Sequence, residues 1–349
     1  MSLSLASLEQ AMLPVRCGGL GIRSATALAP SAFLASLSAS DDLVSRLLPV
    51  RNRQLPDSLA DEASRCWHSL GGTTAPPREC AHIQRKWDEQ VCSSKIATLV
   101  QAADIRGKAR LLGVQATGSG SWLHALPSIA IGLRLSDEEV RIAVGLRLGA
   151  PLVRTHSCIC GTKVEVDGHH GLSCRRSAGR HLRHSLANDA IARAFRSVDV
   201  PVELEPPGLF RGDGKRPDGA TLIPWSQGRC LIWDFTCPDT LAQSHLLQSS
   251  LAAGSAASVA ETNKISKYSG LATIYRFAPF AIETLGGWGP DAISLSSELG
   301  GRIAAKTGEP RSTNFFRQRL DVVIQRGNAA SIRGTMVDSA RQDDVGSDT

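Results

Sequence analysis

Aromatic residues are scarce in this sequence: 5% of 349 residues, with two tyrosines in all. A chain so poor in flat rings is not built as a base-stacking platform, so a nucleic acid here would be held through its phosphates. A regular cysteine framework is missing as well. The nine cysteines are an odd number and six of them (Cys17, Cys66, Cys80, Cys92, Cys230, Cys237) are scattered, which argues against a secreted disulfide scaffold and for a reducing compartment. No stretch approaches the roughly 20 apolar residues of a membrane span. Met1 to Arg16 has no basic n-region, long apolar h-region or cleavage site, so no signal peptide is expected. The expectation is an intracellular chain, nuclear or cytoplasmic, with no membrane partner. The charge excess is small, +6, which permits a polyanionic partner without demanding one. What the chain does have is 42% hydrophobic residues, enough at this length for two or more modest cores.

Leu5 to Leu37 is apolar, broken by Cys17-Gly18-Gly19-Leu20-Gly21, and reads as helix, turn, helix. Glu62 to Ala103 has helical periodicity interrupted at Gly71 to Pro77, a linker signal. Gly113 to Ser121 is a second loop. Ser136-Asp137-Glu138-Glu139 before Val140, Ile142, Ala143 and Leu146 is a capped helix start. The character changes after Pro151. A helix is expected from about Arg180 to Phe195, then extended segments at Val200 to Leu204, around Ala220 to Ile223, and at Cys230 to Thr236, an apolar run suited to a buried strand. Leu241 to Tyr268 reads as helix. Leu271 to Ile282 should begin with a strand, and the rest is helical to about Arg333. Residues 337–349 are polar and acidic, a composition expected of a disordered tail. Strands separated by helices imply an α/β domain after residue 178.

Cys158, Cys160, His169 and Cys174 supply four soft or borderline ligands in a short span, the set a tetrahedral Zn²⁺ takes. Asp167-Gly168 provides a turn that folds a histidine back toward the first two cysteines. His169 is the expected fourth ligand and His170 the alternative.

Asp218, in Arg216-Pro217-Asp218, precedes one extended segment, and Asp234 lies near the end of Leu231-Ile232-Trp233-Asp234-Phe235-Thr236. Two carboxylates brought to one sheet edge can hold Mg²⁺, which activates water and stabilises the leaving oxygen of a phosphodiester. Glu205, just after Val202-Glu203-Leu204, is the candidate third acid. Arg183 and His184 on the long helix would pair with these acids, meet phosphate, or simply face solvent. In Gly286-Gly287-Trp288-Gly289-Pro290 the favoured reading is a turn with Trp288 as a core anchor.

Arg216-Pro217-Asp218 with Asp234 resembles the PD-(D/E)xK nuclease core. A CCHC zinc knuckle ahead of such a core resembles the C-terminal part of site-specific non-LTR retrotransposon proteins, which carry a reverse transcriptase and a restriction-like endonuclease. The similarity extends through Arg183-His184, Asn188-Asp189, Glu205-Pro206-Pro207, Lys267-Tyr268 and Gly286 to Pro290. At the front, Leu13 to Arg23 and Ala29 to Leu37 are similar to the thumb side of the polymerase. The resemblance implies an α/β, restriction-endonuclease-like core preceded by a zinc knuckle and a mainly helical N-terminal region. It implies structural Zn²⁺, catalytic Mg²⁺ and a DNA target, with element RNA and a polymerase part acting in trans as further candidate partners. Two positions depart from the pattern. The usual lysine two residues after the second acid is Thr236 here, and the resemblance moves its role to the following helix, to Lys267 with Lys264 as the alternative. The chain also has no polymerase palm and no Asp-Asp metal motif, so reverse transcription is not expected of it.

The expected organisation is a thumb-like helical remnant at 1–60, a helical linker region at 61–150, the knuckle at 151–178, the endonuclease domain at 179–336 and the tail at 337–349. The expected activity is metal-dependent nicking of target DNA by Asp218, Asp234, Lys267 and Glu205. The alternatives are a nucleic-acid-binding module with a dead nuclease core, or a decayed retroelement remnant.

Overall fold

The structure, a computed structural model, describes residues 3–48, 57–209 and 216–336. The tail expected at 337–349 lies outside the described residues. The chain divides into two compact units, Ser4–Ala103 and the part from Asp104 onward. The segment expected to be linker, 61–150, is divided between the units: 61–103 belongs with the thumb-like segment, and 104–150 with the knuckle and the nuclease segment.

The first unit is helical: α1 (Leu5–Ala11), α2 (Ala25–Leu47), α3 (Asp57–Ser69) and α4 (Gln84–Ala102). Ser4 and Ser24 begin α1 and α2, their hydroxyls accepting the N–H of Ser7 and Ala27, as N-caps do. Leu34, Ala35, Ala81 and the edge-on pair Trp67 and Trp87 form its core. The break at Gly71 to Pro77 falls between α3 and α4, where the sequence places it.

The second unit is mixed α/β. Helices α5 (Ile105–Gly113) and α6 (Asp137–Leu148) precede a small hairpin, β1 (His156–Ser157) and β2 (Lys163–Val164), and the one-turn α7 (His170–Ser173). The Ser136–Glu139 capping box expected for α6 is present. Then come α8 (Ala178–Arg196), β3 (Val202–Leu204), β4 (Gly219–Thr221), β5 (Leu231–Thr236), α9 (Leu246–Ser249), α10 (Ser255–Lys267), β6 (Arg276–Ala281), α11 (Pro290–Thr307) and α12 (Ser312–Arg333). The expected strand in 271–282 occupies its end, not its start, where Leu271–Thr273 form a 3₁₀ turn.

The larger sheet runs β3-β4-β5-β6. The first three strands are antiparallel and β6 is parallel to β5. A parallel neighbour requires a long crossover, here the segment holding α9 and α10. β5 is central and buried along nearly its whole length, which is why it reads as a mainly apolar run, with Asp234 as its one charged residue. Leu231, Trp233 and Phe235 face a core shared with α8, α11 and α12, and Phe195 of α8 stacks on Trp233. The buried face of α8 is Ala187, Ala190, Ile191, Ala194 and Phe195, a helical stripe. β4 runs so close to Trp233 that a Cβ on Gly219 would lie 2.1 Å from the indole, so only glycine fits there. No helix among the described residues is long and apolar enough to cross a membrane.

Candidate metal centre and acidic cleft

Cys158, Cys160, His170 and Cys174 come together, their ligand atoms all within 4.8 Å of one another. The sulfurs of Cys158 and Cys174 are 3.8 Å apart. Tetrahedral bonds of ~2.3 Å would separate two zinc-bound sulfurs by about that distance. Cys160 Sγ is 3.2 Å from His170 Nε2. The set is one that can hold zinc. Its fourth member corrects the sequence reading, which chose His169. The reason is α7: the Cys174 N–H donates to the His170 carbonyl across one helical turn, and residues four apart share a face. His169 sits just before that turn. Its backbone N–H donates to Asp167 Oδ1, and its ring lies 3.2 Å from Asp167 Oδ2 without the alignment of a hydrogen bond. Burial lowers the His169 pKa. The signal available in the sequence was the His170–Cys174 spacing. Among the thiols, contact with Thr162 brings Cys160 down to about 6, while burial pushes Cys158 up to about 11. Cys158, Cys174 and Leu172 pack with Ile332 and Met336 in the second core of this unit.

The second site is a cleft of about 320 Å³ lined by His184, Glu205, Arg216, Pro217, Asp218, Asp234, Lys264, Lys267 and Tyr268. All four expected catalytic residues, Asp218, Asp234, Glu205 and Lys267, therefore line one cavity. Strand register explains the first two. Gly219 pairs with Trp233 and Ala220 with Ile232, so Asp218, just before Gly219, and Asp234, just after Trp233, come to the same end of the β4–β5 ladder. The Asp218 N–H donates to the Trp233 carbonyl at 3.0 Å. Its carboxylate Oδ2 accepts the Phe235 N–H at 2.6 Å and lies 3.1 Å from His184 Nε2. Asp234, 3% exposed, lies on the opposite side of β5 from Trp233 and Phe235 and meets α10 through an ion pair with Lys264.

Lys264 and Lys267 both reach the cleft but do different things. The Lys264 ammonium rests on Asp234 Oδ1. That of Lys267, the lysine expected to act, is 3.3 Å from the Tyr268 hydroxyl and 4.7 Å from its ring centre. The Tyr268 hydroxyl donates to the Arg216 carbonyl. Glu205, with positive φ, is exposed, forms an ion pair with Arg216, and donates its N–H to the Asp218 carbonyl. Thr236 lies outside this cavity's lining.

His184 half-faces the cleft, its side chain 46% exposed, and the Asp218 carboxylate beside it raises its pKa. Its neighbour Arg183 does not join it. Arg183 is buried and bonds Asn328 Oδ1 at 2.6 Å, tying α8 to α12. Trp288 is the expected core anchor, 4% exposed, with its indole N–H on Asp321 Oδ1 at 2.9 Å.

Two buried carboxylates that the sequence reading did not single out hold α10 in place. Glu261 accepts the N–H groups of Ala281, Asp291 and Ala292, so it caps α11 from α10, and a Cβ on Gly289 would collide with it at 2.3 Å. Burial raises Glu261 to about 7. Glu283 accepts the Ala257 N–H in the first turn of α10 and the Thr240 hydroxyl, and burial raises it too. Neither shows in a sequence, because each meets its partners only after the helices pack. The sequence matches no protein-family model and no curated protein.

Proposed function

We propose that the chain is a metal-dependent DNA endonuclease that nicks a target site, with a restriction-like α/β core of retrotransposon type and a zinc knuckle beside it. The observation that carries this reading is the meeting of Asp218, Asp234, Glu205, Lys264 and Lys267 in one cleft. The resemblance of Arg216-Pro217-Asp218 and Asp234 to the PD-(D/E)xK core supports the same reading. The donor chemistry fits Mg²⁺: carboxylate oxygens are hard ligands, and the ion keeps several waters, so two or three carboxylates suffice. Asp218 and Asp234 would hold it and Glu205 would assist. When bound, such an ion supplies a water made nucleophilic near neutral pH and neutralises charge on the leaving oxygen.

The chain's own residues do the rest. Lys264 holds Asp234 in its place. Lys267 and Arg216 set positive charge at the rim for the scissile phosphate. The Cys158–Cys160–His170–Cys174 site stabilises the knuckle as a zinc centre. The test is a nicking assay on supercoiled plasmid with Mg²⁺, comparing the wild type with Asp218→Ala and Asp234→Ala. Nicking that needs both acids supports the endonuclease. DNA binding without nicking under any divalent cation overturns it in favour of a nucleic-acid-binding module.

A further inference from the structure

We infer that His184 is a positioning residue, turned by Asn188 so that its Nε2–H faces Asp218 and fixes one oxygen of that carboxylate, leaving the other to serve a cation. The inference rests on the endonuclease reading of the cleft. It starts from Trp233, fully buried in β5. An indole N–H only donates, and that of Trp233 reaches Asn188 Oδ1 at 3.0 Å. The atom of the Asn188 amide facing the indole must therefore be its oxygen. This leaves the amide NH₂ facing His184 Nδ1, four residues earlier on α8, at 3.3 Å. An NH₂ has no acceptor to offer, so Nδ1 must be the acceptor and Nε2 must carry the proton. Nε2 lies 3.1 Å from Asp218 Oδ2. The other tautomer would set donor against donor at Nδ1 and a lone pair against a carboxylate at Nε2.

The consequence falls on Asp218. The His184 Nε2–H and the Phe235 N–H both converge on Oδ2, while no described residue donates to Oδ1. The ring is further held edge-on against Phe235, with centroids 5.8 Å apart. A chain Trp233–Asn188–His184–Asp218 thus runs from the core to the cleft and orients the carboxylate. Ligand carboxylates in metal sites are commonly held this way.

The experiment uses the full chain with zinc in the knuckle and histidines labelled with ¹⁵N, with the pH raised until the His184 signals stop moving, so that the ring is neutral. His184 signals are identified by their loss in His184→Gln. A pyridine-like Nδ1 and a pyrrole-like Nε2 are expected. Asn188→Asp still accepts from Trp233 but presents a carboxylate oxygen to the ring, so Nδ1 should gain a proton while Nε2 keeps its own, and both nitrogens should become pyrrole-like. A wild-type Nδ1 that carries the proton, or a spectrum unmoved by Asn188→Asp, overturns the inference. The second reading is Mn²⁺ affinity by electron paramagnetic resonance. His184→Phe should weaken it about 10- to 100-fold, and His184→Gln, whose amide can still donate to Asp218, should recover most of it. Wild-type Mn²⁺ binding with no difference between the two variants overturns the positioning role alone. A wild type that binds no Mn²⁺ in the cleft overturns the endonuclease reading and the positioning role with it.

Discussion

The cysteine–histidine centre and the acidic cleft lie in the same compact unit but are assembled in opposite ways. The first draws its ligands from residues 158 to 174, and one tight helical turn sets the final distances. The second gathers residues from 184 to 268 through a helix, a strand pairing and a crossover. A local site is constrained by chain geometry, so its members are nearly determined by spacing. An assembled site depends on packing, so its acids can be foreseen from strand ends while its cations and supporting groups cannot. The knuckle should accordingly fail one ligand at a time, and the cleft should fail in several distinct ways.

The largest effect expected is in the cleft. Asp218→Ala or Asp234→Ala should lower Mg²⁺-dependent nicking by about 10³-fold, because charge stabilisation worth several kcal/mol is lost at ~1.4 kcal/mol per tenfold. DNA affinity by filter binding should hold or rise, since like-sign repulsion with phosphate is removed. Parallel loss of binding and nicking would mean the acids serve folding.

The knuckle should respond just as sharply in composition. Cys158→Ser with Cys160→Ser should abolish stoichiometric zinc by elemental analysis, and His170→Ala should weaken zinc binding while His169→Ala leaves it intact. Equal losses for the two histidines would show that the turn at His170 does not select the ligand.

The lysines separate next. Lys264→Ala strands a buried Asp234 carboxylate, so stability in urea should fall by on the order of 3 kcal/mol. Lys267→Ala, at the rim, should cost about 1 kcal/mol or less while slowing nicking. A rate unchanged by Lys267→Ala would shift the phosphate-facing role to Lys264 or Arg216.

Two buried carboxylates outside the cleft lining should set a pH dependence. Glu261 rises from 4.5 to about 7 and Asp321 from 3.8 to about 8, both through burial. In that interval the folded chain binds more protons than the unfolded one. Their contribution to stability is therefore present below about pH 4 and is lost as pH rises through about 7 to 8. Melting temperatures measured from pH 5 to 8 should fall on this account, and Glu261→Gln with Asp321→Asn should flatten the slope. The smallest effect is graded: the logarithm of DNA affinity should fall with the logarithm of salt by about 0.9 per phosphate neutralised, and a flat response would point to a protein partner.

Much of this protein is legible in its sequence alone. The short apolar run at Leu231 to Thr236 suited a buried strand, and Ser136 with Glu139 announced α6, because both signals are satisfied by residues a few positions apart. The cysteines of the knuckle and the pair Asp218 and Asp234 were marked for the same reason, by spacing and by their places at strand ends. Only the tertiary structure decided the rest. It chose His170 over His169 by forming α7, and it put Lys264 on Asp234 while Lys267 met Tyr268. It sent Arg183 into the core and His184 to the cleft, although the two are adjacent in sequence. It turned Glu261 and Glu283 into caps for helices they do not precede. Each of these depends on which face of an element is buried and on what lies opposite, and a sequence records periodicity along one element but not the partner that meets it.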